Sequence, residues 1–339
     1  MKTTILTRCV MALMMAGAAF TACTKNNMNG SSSTDAGTTA NLQTAADDES
    51  QVSYESDAMD NDANTALNGQ TVVSGSSFNA PGSTTVRTTM GVNQTDGGGN
   101  IIDNNSICDA TITYADTNGA RTITIVYNGS NCSGNRTRTG TVTISIPDNV
   151  YWKNAGAVVT LQISNLAITR IRDGKTWIIN GTKTYTNVSG GLLVDLPSLD
   201  SVVHSISGNM QITFASGNQR TWSISKRRVF TYNDGVSLST TGTHSDSLGN
   251  SNVAEWGTNR FGVTFESLIT QPKTIAQSCE FRLTGGQNQV IRSDDWTSTI
   301  TYGLDAGGDP TGCPGTGTYY YKLVVSRPNG KTYTYILPY

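Results

Sequence analysis

The side chains able to do chemistry are few and scattered. His204 and His244 are the two histidines of the 339-residue chain, and neither belongs to an HExxH or other paired-ligand spacing. His204 lies between Val203 and Ser205 near a strand start, and His244 lies in Thr243-His244-Ser245-Asp246. A Ser-His-Asp triad needs a nucleophile on a sharp strand-to-helix turn, and no such elbow accompanies His244. Paired carboxylates suit glycoside hydrolysis when they face one another across ~5 to 9 Å. Asp294 and Asp295 are adjacent at a turn, so only one of them can point inward. Glu255 and Glu266, which flank Trp256 and Phe261, are the better pair. Asp305-Ala306-Gly307-Gly308-Asp309 offers Asp305 and Asp309 to calcium, a cation that takes six to eight oxygens. The loop nonetheless has the composition of an ordinary Gly/Asp turn, so no metal or other cofactor is expected. Binding is better supplied than catalysis. Trp152, Trp256 and Trp296 fall at or near strand ends, where a ring could stack on a glycan or, equally, cap a core.

The cysteines carry a second chemistry. Lys2 and Arg8 precede the apolar run from Val10 to Phe20, the layout of a signal peptide over residues 1–22. That run is too short to span a bilayer, which takes ~20 residues in a helix. Phe20-Thr21-Ala22-Cys23 resembles a bacterial lipobox, so Cys23 is expected to carry lipid, palmitate included, and to become the mature amino terminus. Several acyl chains give stable anchoring where one gives marginal binding. A plain secretory reading would instead cleave after Ala16-Gly17-Ala18 and leave Cys23 a free thiol. With Cys9 removed and Cys23 consumed, Cys108, Cys132, Cys279 and Cys313 remain, an even number in an oxidising compartment. Cys108 and Cys132 bracket one predicted hairpin and Cys279 and Cys313 another, which predicts the bonds 108–132 and 279–313. Each is worth ~3 kcal/mol in the chain-entropy picture.

The elements that must position these groups divide in two. Residues 23–100 hold nine Asp/Glu against Lys25 and Arg87, with Gly, Ser, Thr and Asn dominant. Such a segment buries too little apolar surface to offset chain entropy and reads as an acidic flexible tether, with a span of roughly 50 Å. Within it Val52, Ser56, Met59, Ala63 and Ala66 recur at helical spacing, consistent with a short helix of thin apolar face. Residues 101–339 hold 19 Lys/Arg against 16 Asp/Glu, too small a surplus for a nucleic-acid footprint. The densest basic cluster, Arg220 with Lys226, Arg227 and Arg228, reads as a solvated strand face in preference to a polyanion site.

Period-two alternation fills the second part. Val142, Ile144 and Ile146 face one way and Thr141, Thr143 and Ser145 the other. Val159, Leu161 and Ile163 repeat this, as do Ile206, Met210, Ile212 and Phe214, then Phe261, Val263 and Phe265, then Tyr319, Tyr321, Leu323 and Val325, then Tyr333, Tyr335 and Leu337. Turn signals at Asn118-Gly119, Asp173-Gly174, Gly217-Asn218, Asn233-Asp234-Gly235 and Asn329-Gly330 divide the region into about 14 strands. The fold class is all-β, an antiparallel sandwich, open barrel or curved meander with one wet Thr/Ser face. It is divisible into subdomains at about 101–190 and 191–339. Thr-Trp pairs at Trp177 and Trp222 mark two similar return strands whose rings share the parity of Ile179 and Ile224, which favours core packing.

On the lipobox, the strand opening at Cys108, the Thr122-Ile123-Thr124-Ile125 strand, Cys132-Ser133-Gly134, Arg136-Thr137-Arg138 and Cys279-Glu280-Phe281 with Cys313, the body resembles uncharacterised Bacteroidota cell-envelope lipoproteins of all-β fold. The likeness covers most of residues 105–339. It implies an outer-membrane lipid anchor and brings no activity or site. Thr24-Lys25-Asn26-Asn27 follows Cys23, where surface-displayed members of such bacteria often carry acids, so either membrane face is open. The expected role is structural, adhesive or binding, with the membrane and a glycan or envelope protein as partners. A carbohydrate-binding or polysaccharide-processing module is the alternative.

Overall fold

The computed structural model describes residues 33–69, 71–75, 107–117, 119–131, 134–279, 282–313 and 317–338. Among the described residues fourteen strands form one antiparallel sheet: β1 (Ala110–Thr117), β2 (Ala120–Ser130), β3 (Arg136–Pro147), β4 (Ala157–Arg170), β5 (Thr176–Asn187), β6 (Val202–Phe214), β7 (Gln219–Tyr232), β8 (Val236–Gly242), β9 (Val253–Thr258), β10 (Thr264–Ala276), β11 (Arg282–Arg292), β12 (Thr297–Leu304), β13 (Tyr320–Ser326) and β14 (Thr332–Pro338). Neighbours follow chain order from β1 to β8, then β10 to β14, while β9 is inserted between β7 and β10 and pairs with both. No ladder joins β1 to β14 among the described residues, so the meander is curled but not closed. The β5–β6 ladder, eleven residue pairs from Trp177↔Phe214 to Asn187↔His204, carries the sheet unbroken across residue 190.

The alternation read from sequence sets the two faces. In β3, Val142, Ile144 and Ile146 are buried, and their neighbours Thr141, Thr143 and Ser145 point out. Trp177 and Trp222 are buried with the aliphatic residues of the same parity, as expected. Two apolar sets behave differently. Phe261 is 42% exposed in the β9–β10 turn, ahead of the strand that was expected to contain it. Tyr333 and Tyr335 are half-buried because β14 is an edge strand.

Part of the segment read as tether is helical, while its residues 23–32, 70 and 76–100 lie outside the described residues. Ser33–Gly69 is a 37-residue helix, α1, followed by a short turn of helix, α2 (Thr71–Ser74). At 1.5 Å per residue α1 is about 55 Å long. From Glu49 to Asn68 it is largely buried, because the sheet curls round it and meets it from β2, β3, β5, β7 and β10. Val52, Met59, Ala63, Ala66, Leu67 and, in α2, Val73 join the main core. A helix this rich in Asp, Asn, Ser and Thr is a poor isolated helix. Tertiary contacts hold it: the backbone N–H of Trp152 and of Lys153 bond to Val73 O and Ser74 O at 2.9 and 3.2 Å, fastening its end to the loop after β3.

Candidate functional site

The inner face of the sheet is studded with cations at core positions, and α1 supplies their counter-charges. Arg170 forks onto Asp47 at 2.8 and 2.9 Å. Arg260 pairs with Asp48 at 2.5 Å, and Arg220 with Glu49. Arg136 pairs with Glu55 and donates to Gln51 at 2.7 Å. Lys273 pairs with Asp57 and donates to Ser53 at 2.8 Å. Lys183 reaches Asp60 at 2.6 Å, and Arg138 reaches Asp62 at 2.7 Å while forking onto Asp109. All seven acids of α1 from Asp47 to Asp62 are therefore paired with the sheet. This corrects the reading of the basic cluster: Arg220, Lys226 and Arg228 are buried inward, and only Arg227 of the four is solvated. The parity of β7 decides it, since Arg220, Lys226 and Arg228 alternate in phase with Trp222, Ile224 and Phe230.

An interior so filled is a lock between helix and sheet. Its electrostatics predict an unusual pH profile. Burial alone would raise the Asp57 carboxyl, but Lys273, Lys226 and Arg228 outweigh burial and hold it at about 2, below its ordinary 3.8. A depressed folded-state pKa gives stability that is complete above the unfolded value and lost as pH falls through the folded one. For Asp57 that is a loss of about 2 kcal/mol between about pH 4 and pH 2. Asp48 has the opposite sign, because burial pushes it to about 7 against the pull of Arg260. The folded state then holds a proton the unfolded state has released, so stability falls as pH rises from about 4 to about 7. The urea midpoint is expected to peak in mildly acidic buffer. Asp48→Asn should flatten the descent toward neutrality and Asp57→Asn the descent below about pH 4. Identical pH profiles for both variants and the parent would show that these carboxylates do not titrate with folding.

The residues singled out from sequence scatter. Cys279 and Cys313 are bonded, 34 residues apart, as expected. Cys108 is also disulfide-bonded, and its expected partner Cys132 lies outside the described residues, as does Cys23. Trp152 is fully buried, packed on His204 at 4.9 Å between ring centroids, and so cannot be a stacking platform. His204 is enclosed by Trp152 and Phe230, and burial, with Arg228 behind it, pulls it down to about 3, a neutral core imidazole. Trp296 is half-buried beneath Arg327 and lines a cavity of about 40 Å³ with Asp48, Arg220 and Arg260. Asp294 is gripped by Arg292, and Asp295 is exposed in the turn.

Glu255 and Glu266 do not face one another. Glu255 points inward, where Lys226 and Arg220 outweigh burial and keep its carboxyl below its usual range. Glu266 lies on the outer face beside Asp246, and burial with that neighbour pushes it up. The amide of Asn250 bridges them, 2.7 Å from Asp246 and 3.1 Å from Glu266. In the Asp305–Asp309 turn, Asp305 Oδ1 accepts the N–H groups of Gly307 and Asp309 at 2.8 and 3.0 Å. The turn is thus closed by its own backbone. Among the described residues no three His, Cys, Asp or Glu side chains are grouped to hold a metal.

A concave site lies on the outer face of β5, β6, β7 and β9. A groove of about 510 Å³ is lined by Asn180, Asn209, Gln211, Thr221, Ser223 and Trp256, with Gly181 and Gly257 beneath. Its shape follows from close strand packing. A Cβ added at Gly257 would stand 2.1 Å from Thr221 O, and one at Gly181 2.5 Å from Asn209 O, so only glycine lets the backbones approach there. Trp256 is half-buried, and the His244 ring stacks on it at 4.1 Å and 17°. Of the three candidate tryptophans it alone lines this groove. Its polar companions were missed because each looks like an ordinary outward strand residue; only the ladder registers gather them. Those registers align Thr124, Thr143, Gln162, Thr182, Asn209, Ser223 and Trp256 in one transverse row.

No protein-family model, curated protein or solved structure matches the chain. Among the described residues no helix is long and apolar enough to cross a membrane.

Proposed function

We propose that the chain is an exported cell-envelope lipoprotein, anchored to the outer membrane by lipid on Cys23, whose β body serves a binding or adhesive role held close to the bilayer. The resemblance to Bacteroidota envelope lipoproteins and the signal-peptide layout of residues 1–22 support the anchor. The observation that carries the rest is the burial of α1. Lipid on Cys23 would be joined to the body not through a long loose tether but through a helix fixed to the sheet by seven ion-paired acids. Only ten residues lead from Cys23 to the start of α1 at Ser33, a contour of at most about 35 Å. The outer face supports a wet environment: its strands present Thr, Ser and Asn, where a lipid-facing barrel presents an apolar band.

Growth with an alkyne analogue of palmitate tests the reading. The native chain should be labelled and sediment with membranes. Cys23→Ser should lose the label and appear in the soluble fraction. Label retained by Cys23→Ser, or a soluble native chain, refutes it. A polysaccharide-processing role is the weaker alternative, since the two glutamates that suggested it lie on opposite faces of the sheet. A carbohydrate-binding role is favoured by one specific feature, the groove at Trp256.

A further inference from the structure

We propose that the outer groove of β5, β6, β7 and β9 binds a neutral polysaccharide, its chain lying across the strands with one sugar ring against Trp256. Charge is the first argument. The outward groups of the groove are amides, hydroxyls and the Trp256 ring over glycine backbone, with no Lys, Arg, Asp or Glu in the lining; the nearest acid along the row is Glu266, the register partner of Trp256, whose carboxyl accepts from the Asn250 amide. On a sheet whose interior is crowded with ions, that suits a ligand with many hydroxyls and no net charge. Spacing is the second. Thr182, Asn209, Ser223 and Trp256 are successive register partners, so polar groups recur every ~4.8 Å across the strands, close to the length of one pyranose ring. An extended glycan thus meets a similar set of donors and acceptors at each residue.

Preorganisation is the third. Ser223 Oγ donates to Asn209 Oδ1 at 2.8 Å, and Thr182 Oγ1 donates to Gln162 Oε1 at 2.7 Å, which orients both amides. The His244 stack fixes the Trp256 ring before any ligand arrives. Rigid groups lose little freedom on binding, and an aromatic face takes the C–H face of a sugar while neighbouring amides take its hydroxyls.

The inference deepens the binding role proposed above, but it stands on the groove and not on the anchor. Lipid labelling and glycan binding can therefore fail separately. The full-length mature chain in a zwitterionic detergent is titrated with cellohexaose, laminarihexaose, mannohexaose and xylohexaose, with a hyaluronan hexasaccharide as the anionic probe. Calorimetry and tryptophan fluorescence are the readouts. At least one neutral hexasaccharide should bind with a Kd below about 1 mM, more tightly than its trisaccharide. Asn209→Ala and Trp256→Ala should each weaken it about tenfold, with the thermal midpoint of Asn209→Ala unchanged. If Trp256→Ala unfolds, Asn209→Ala and Ser223→Ala decide the matter alone. The proposal is overturned if none of the four neutral probes binds, if only the anionic probe binds, or if affinity survives substitution in the groove.

Discussion

A chain lacking residues 24–75 is expected to lose its cooperative urea transition and its near-ultraviolet circular dichroism while keeping much of its strand signal. The reason is charge. Without α1, Arg136, Lys183, Arg220, Arg228 and Lys273 remain on an inner face where each is at most 4% exposed, and their partners on the helix are gone. A buried charge stripped of its partner destabilises by about 3–5 kcal/mol, and a domain of this size has only about 5–15 kcal/mol in total. Loss of Val52, Met59, Ala63, Ala66, Leu67 and Val73 from the core acts in the same direction. The sheet must then open to hydrate its cations, giving a compact state without fixed packing. A peptide covering residues 44–75, added in trans, should restore a cooperative transition at a midpoint that rises with peptide concentration, as expected for any ligand of the folded state. A deletion variant that unfolds at the parent midpoint would mean that the sheet stands without its helix.

Why α1 was hard to read from sequence follows from the same facts. An amphipathic helix announces itself by one apolar stripe, because it has one buried side. α1 has no solvent side over much of its length, and what it buries is mostly acidic, so its polarity looks like that of a solvated segment. Its partners lie as many as 220 residues away, as in the Lys273–Ser53 contact, where no local pattern can point to them. A signal did exist. Arg136 and Arg138 in β3, and Lys226 and Arg228 in β7, sit at the parity of the buried aliphatics. Cations recurring at core positions demand counter-charges, and the acidic surplus of residues 47–62 was the obvious supply. The strands, by contrast, were legible because Thr/Ser on one parity and Val/Ile on the other is a strictly local record of which face is wet, as in β3 and β4. The groove needed more than parity. Asn209 and Trp256 are 47 positions apart in sequence, and they share a row only through the insertion of β9 beside β7, which no alternation encodes.

Substituting Lys183 by methionine should lower stability by about 3–5 kcal/mol, the cost of leaving a buried partner charge unpaired. Lys183 is wholly buried at the centre of the lock. Its ammonium donates to Asp60 Oδ1 at 2.6 Å and to Ser56 Oγ at 3.0 Å, and the hydroxyl of Tyr185 also donates to Asp60. Burial lowers the lysine pKa, and Asp60, with Asp57 beyond it, opposes that shift. In Lys183→Met the Asp60 carboxylate keeps a single hydroxyl donor. In Asp60→Leu the ammonium keeps only Ser56. Replacing both together removes both charges, and paired apolar replacement of a buried ion pair is often neutral or better. The double variant should therefore be more stable than either single one, short of the parent by about 1–3 kcal/mol for the Tyr185 hydroxyl left without its acceptor. Adding Tyr185→Phe should recover much of that remainder. Urea denaturation of the four chains in the cycle measures the coupling directly. Additive losses, with the double variant as unstable as the sum of the singles, would show that Lys183 and Asp60 stabilise the fold independently and that α1 is held by packing instead of charge.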